Sequence, residues 1–150
     1  MTEVHYVKKA QKDNAVVKKG EPYYWWSFRF GGKHRSKTPP RPSQLTQSGY
    51  LSACLALQEE IDDLDLSDPL TVAEELESAA DAIREIGQEQ QEKYDNMPTG
   101  LQEGDTGQLL QDRADACEEV ASELDDAANW VRDGADVQET ISGLSWNFDV

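Results

Sequence analysis

The sequence predicts an α+β protein: an N-terminal three-stranded antiparallel β-sheet packed with an acidic three-helix body that contains a long antiparallel helical hairpin. Three observations lead there. The first 42 residues hold short β-prone runs separated by turn residues, and one of these runs is almost wholly aromatic. Residues 43–150 repeat apolar side chains at spacings of three and four, the signature of helices with one buried face. Charge divides at the same place. Residues 1–43 carry ten Lys and Arg against Glu3, Asp13 and Glu21, a balance of +7, whereas residues 44–150 carry four basic side chains against 27 acids, a balance of −23. We read residues 1–42 as a basic aromatic β-rich head and 43–150 as an acidic helical body. Such asymmetry points either to different partners for the two halves or to attraction between them.

In the head, Val4–Lys9 and Ala15–Lys19 are β-prone runs with a turn, Gln11-Lys12-Asp13-Asn14, between them. After Gly20-Glu21-Pro22 comes Tyr23-Tyr24-Trp25-Trp26-Ser27-Phe28-Arg29-Phe30. Aromatic residues favour strands. A period of two puts Tyr24, Trp26, Phe28 and Phe30 on one face and Tyr23, Trp25, Ser27 and Arg29 on the other. Gly31-Gly32 reads as a hairpin turn leading into a return strand, Lys33–Thr38. A two-residue loop would pair Phe30 with Lys33; a three-residue loop would pair Arg29 with Arg35 and bring Trp25 near Lys37. Either register leaves one face with both rings and cations. Pro39-Pro40-Arg41-Pro42 then reads as a stiff polyproline spacer.

In the body, a first helix is expected from about Ser48 to Leu64, with Tyr50, Leu51, Cys54, Leu55, Leu57 and Ile61 on its apolar stripe. The second opens at Thr71-Val72-Ala73-Glu74, a capping-box pattern, and runs Val72, Leu76, Ala79, Ile83, Ile86 before fading near Tyr94. Asn96–Gly100 is a loop. The third runs from about Thr106 to Arg132, with Leu110, Ala114, Cys117, Val120, Ala121, Leu124, Ala128 and Val131 on one stripe. The last two helices, some ~38 Å long at 1.5 Å per residue, should form an antiparallel pair with an alanine-rich seam. The tail Ile141–Val150 alternates Leu144, Trp146 and Phe148. It adds a strand to the head, docks on the body, or stands exposed as a partner-binding segment.

Composition narrows the function classes. No stretch approaches the ~18 apolar residues of a membrane span, and the start of the sequence lacks the apolar core of a signal peptide. The expectation is a cytoplasmic protein without membrane contact, with Cys54 and Cys117 as buried, reduced thiols. With only His5 and His34 as histidines, and no C-x-x-C, H-E-x-x-H, EF-hand or P-loop pattern, no metal, no cofactor and no enzymatic activity are expected.

The segment YYWWSFRFGGKHRSKTPPRPSQLTQS, Tyr23 to Ser48, resembles a motif in small uncharacterised proteins of tailed bacteriophages, carried by the aromatic strand, the GGK turn, SKT-P-P-R and SQLTQS. A hairpin followed by a helix is also similar to the arm-site DNA-binding module of phage integrases, although here the following segment departs into acidic helices. The first resemblance implies a bacterial host cell as the setting and a role against or alongside host machinery; it implies no particular activity.

The candidate sites follow from the charge split. On the head, Arg29, Lys33, Arg35, Lys37 and Arg41 would hold phosphates of DNA or RNA while Trp25 stacks on a base; Lys8, Lys9, Lys18 and Lys19 are weaker candidates, because surface lysine is common. Alternatively, Glu59, Glu60, Asp62 and Asp63 at the end of the first helix, with Glu118, Glu119, Glu123, Asp125 and Asp126 on the third, present an anionic surface. Such a surface could imitate nucleic acid and occupy a basic bacterial protein, or could simply be solvated. A third alternative is a scaffold or assembly protein that forms a homodimer through its helices.

Overall fold

The computed structural model describes residues 2–148; Met1, Asp149 and Val150 lie outside the described residues. In chain order the elements are β1 (Val4–Val7), β2 (Tyr23–Ser27), β3 (Lys33–Ser36), a 3₁₀ turn (Pro42–Gln44), α1 (Gly49–Asp62), α2 (Pro69–Asp95), α3 (Thr99–Gln102), α4 (Asp105–Arg132) and α5 (Val137–Ser142). The class is α+β, with the sheet at the N-terminal end and a long helical pair after it. The chain divides into two compact units, Met1–Ser52 and Ala53–Val150.

In the first unit the sheet has the order β1-β2-β3, antiparallel throughout. Two expectations are corrected here. The run Ala15–Lys19 is not a strand. The Asn14 side-chain oxygen accepts from the backbone N–H of Val16 and Val17, and Asp13 accepts from Lys19 N–H at 2.7 Å. Side chains thus take the donors that a strand would need. Residues 11–19 form a loop closed at its neck by Ala10 N–H to Glu21 O and Gly20 N–H to Ala10 O. Gly20, at φ +93°, supplies a left-handed backbone there. Val17 packs inside with Ala10, both 4% exposed.

The second correction concerns the hairpin register. Ser27 pairs with Lys33, Trp26 with His34 and Trp25 with Arg35, so the loop has five residues, Phe28 to Gly32, and neither short-loop register occurs. Ring packing accounts for the choice. This pairing stacks His34 on Trp26 at 5.6 Å and places Phe28 edge-on to His34 at 5.4 Å. Phe28 and Phe30 therefore leave the strand; Phe30 is 86% exposed, while Trp26 is buried.

In the second unit, α2 and α4 form the expected hairpin. Arg84 meets Asp125 and Glu77 meets Arg132, pairs that run in opposite directions along the two helices and so fix them as antiparallel. The seam buries Val72, Leu76, Ala80, Ile83 and Gly87 from α2 against a facing stripe of Cys117, Val120, Ala121, Leu124 and Ala128 on α4. Small residues at these positions let the helices approach closely. The start of α2 is also corrected. Its N-cap is Asp68, three residues before the expected Thr71, with Pro69 in the first helical position, where the missing N–H is harmless. Asp68 accepts from Leu70 N–H and from the Thr71 hydroxyl at 2.6 Å. The tail docks on its own unit: Ser145 N–H donates to Glu123, Trp146 lies beside Phe148, and Phe148 is buried. Among the described residues no helix is long and apolar enough to cross a membrane.

Candidate nucleic-acid interface

Alternation along the three strands sorts the sheet into two faces. Val4, Tyr6, Tyr24, Trp26, His34 and Ser36 share one, because Val4 pairs with Trp26 and Trp26 with His34. His5, Val7, Tyr23, Trp25, Lys33 and Arg35 share the other. The second face joins rings to cations, on the side that the three-residue loop would have chosen and the two-residue loop would not, with Trp25 opposite Arg35.

Trp25 lies at the centre of that face on the middle strand. His5, directly opposite on β1, stacks on it with ring centres 4.1 Å apart and planes 21° from parallel. From β3 the Lys33 ammonium lies over the indole at 3.5 Å. Because β1 and β3 flank β2, the two groups reach Trp25 from its two neighbouring strands. Arg35 is its cross-strand partner on β3 and is exposed.

Beside this cluster a cleft of about 470 Å³ opens on the same face. Val7, Tyr23 and Arg35 line it from the sheet, and Lys9, Lys12 and Asp13 from the 11–19 loop and its neck. The Asp13 carboxylate is engaged with Lys19 N–H. Among the described residues none of Lys9, Lys12 and Arg35 forms an ion pair. The cleft wall thus offers three cations against one occupied carboxylate, around one aromatic ring.

Of the head residues singled out in the sequence, Trp25, Lys33 and Arg35 come together. The others lie elsewhere. Arg29 sits in the hairpin loop with its guanidinium 5.2 Å from the Phe30 ring. Lys37 follows the end of β3, near Val17, Glu21 and Pro22. Arg41 caps the 3₁₀ turn, its N–H donating to Gln44. The sequence singles out neither His5 nor Lys12, has Lys9 only among the weaker candidates, and puts Tyr23 on the Trp25 face without a role. Tyr23 follows from the period of two along β2 alone and His5 from the pairing of β1 with β2, whereas the lysines depend on the fold of the 11–19 loop and its neck.

The acidic residues divide similarly. Glu60, Asp62 and Asp63 are exposed around the end of α1, and Glu59 is half-exposed there. On α4, Glu118 and Asp125 are bridged by Arg84 of α2, at 3.4 and 2.7 Å, with Asp81 of α2 at 3.8 Å. The hydrogen bond to Asp125 is the main reason the Arg84 guanidinium binds its proton more tightly than usual. Glu123 holds the tail, while Glu119 and Asp126 are exposed. Among the described residues no group of three or more His, Cys, Asp or Glu side chains could hold a metal ion. Comparison with protein-family models, with curated proteins and with solved structures finds no match to this chain.

Proposed function

We propose that this chain is a non-enzymatic protein that binds nucleic acid through the sheet face bearing His5, Tyr23, Trp25, Lys33 and Arg35. The observation that carries the reading is the cation–ring arrangement on that face, continued by Lys9 and Lys12 around the adjacent cleft. Exposed ammonium and guanidinium groups neutralise phosphates and release counterions, and a ring on the same surface that is not taken up by a neighbour can meet a base. The likeness of the segment Tyr23 to Ser48 to tailed-phage proteins supports a bacterial host cell as the setting. The test is fluorescence anisotropy of labelled oligonucleotides over a salt series, with the wild type and a Lys33→Ala/Arg35→Ala variant. The reading expects salt-sensitive binding that weakens and loses salt dependence in the variant. Absence of binding at low salt contradicts it.

One observation favours a second reading, in which the acidic unit imitates nucleic acid and occupies a basic bacterial protein. Among the described residues the exposed Glu119 and Asp126 of α4 form no ion pair, while Arg84 and Arg132 are engaged in bridges inside the hairpin. Under this reading Glu119→Lys with Asp126→Lys abolishes capture of a basic partner; capture that survives the double reversal rules those acids out.

A further inference from the structure

The cleft beside the Trp25 cluster differs in kind from the cluster itself. The Trp25 ring is already in use, stacked on His5 at 4.1 Å and contacted by the Lys33 ammonium at 3.5 Å. Tyr23, two residues earlier on the same sheet face, lines the cleft and, among the described residues, makes no ring contact. It is half-exposed at the start of β2, opposite the small side chain of Val7. Lys9, Lys12 and Arg35 surround the same recess, and Asp13, its acidic member, is turned to the loop backbone.

We infer that this cleft seats one unpaired nucleotide of a single strand, with its base against the Tyr23 ring and its phosphates among Lys9, Lys12 and Arg35. The inference rests on the nucleic-acid reading above and adds the class of strand. The volume, about 470 Å³, lies in the range of pockets that enclose one small organic ligand. The ring stands inside a recess. In a duplex the bases are stacked and paired, so only phosphates could reach such a wall and the ring would have nothing to stack on. An unpaired base can leave its strand and enter. Trp25, held by its two neighbours, then acts as a fixed strut that sets the spacing of Lys33 and Arg35 along the strand's backbone.

The experiment uses the full chain and fluorescein-labelled oligo-dT of ~12 nucleotides, the matched duplex, and the matched oligo-U, compared by anisotropy at low salt. The expected result is single-strand binding roughly tenfold or more tighter than duplex binding. Tyr23→Ala should lose about tenfold on the single strand, Tyr23→Phe should retain it, and duplex affinity should not change in either. Lys9→Ala with Lys12→Ala should lower the log–log salt slope by roughly 0.7 for each lost phosphate contact. The oligo-U arm identifies which sugar the strand carries, and tighter binding of either strand than of the duplex supports the inference. Equal binding of single strand and duplex, indifferent to Tyr23→Ala, overturns it while leaving nucleic-acid binding by the head intact. No binding of any probe overturns both. The strand preference of the wild type needs no variant, so a misfolded substitution does not remove the test.

Discussion

The Lys33 ammonium lies 3.5 Å from the centre of the Trp25 ring, across the strand pair that begins with Ser27 and Lys33. The contact joins a charge proposed to meet phosphate to a ring that anchors the sheet. Cation–ring contacts at exposed sites contribute only about 0.5–1 kcal/mol. Lys33→Ala should therefore shift the unfolding free energy by no more than about 1 kcal/mol in urea titrations. In the binding assay the same variant should lower the salt slope by roughly 0.7. A large loss of stability with an unchanged slope would make Lys33 a structural residue only.

Gly87 offers a test of the helical pair in which two effects oppose each other. Helix propensity alone says that Gly87→Ala should stabilise α2 by about 1 kcal/mol. A Cβ at this position, however, would lie 2.9 Å from Cys117 Cβ on α4, and overpacking of a tight seam costs about 1–3 kcal/mol. The seam should win, with Gly87→Ala lowering the thermal midpoint while Gln88→Ala, at an exposed position on the same helix, leaves it nearly unchanged.

The bridge between Glu77 and Arg132 gives the helical unit a defined pH response. Both carboxylate oxygens of Glu77 accept from the Arg132 guanidinium, and these hydrogen bonds hold its pKa below the ordinary value. A carboxylate depressed in the folded state contributes stability that is fully present above its unfolded pKa and is lost as the pH falls through its folded one. Asp68 responds in the same sense, chiefly through the Thr71 hydroxyl. Glu77→Gln should thus be less stable than the wild type at neutral pH, with the gap closing on acidification through the carboxylate range. Thermal unfolding at a series of pH values measures the gap; a gap that widens in acid contradicts the assignment.

Much of the helical unit was legible because its stripes are long. Val72, Leu76, Ala79 and Ile83, set against Cys117, Val120, Leu124 and Val131, repeat over enough turns for the period to declare itself, and all are buried. Boundaries were less legible: Asp68 caps α2 ahead of a motif that resembled a cap at Thr71. The head was harder. Gly31-Gly32 suggested a tight turn, but stacking of His34 on Trp26 and the edge of Phe28 fixed a longer loop. That competition between turn chemistry and ring packing is tertiary and leaves no local signal. The same holds for residues 15–19, whose β-prone side chains were overruled by hydrogen bonds to Asn14 and Asp13. On the candidate face, alternation puts Trp25 with Lys33 and Arg35 only when the hairpin loop has an odd number of residues, as the five-residue loop does; a two-residue loop would have put the cations on the Trp26 face. His5 required the pairing of β1 with β2, and Lys9 and Lys12 required the loop fold.

The central claim concerns which surface of the chain meets nucleic acid, and an NMR titration asks that directly. The ¹⁵N-labelled full chain would be titrated with unlabelled single-stranded DNA, and amide shifts followed residue by residue. The account predicts perturbations concentrated at residues 5–14, 23–25 and 33–35, with the α2–α4 hairpin unmoved. Shifts centred on the hairpin, or none at a concentration where a basic control protein is saturated, would contradict it.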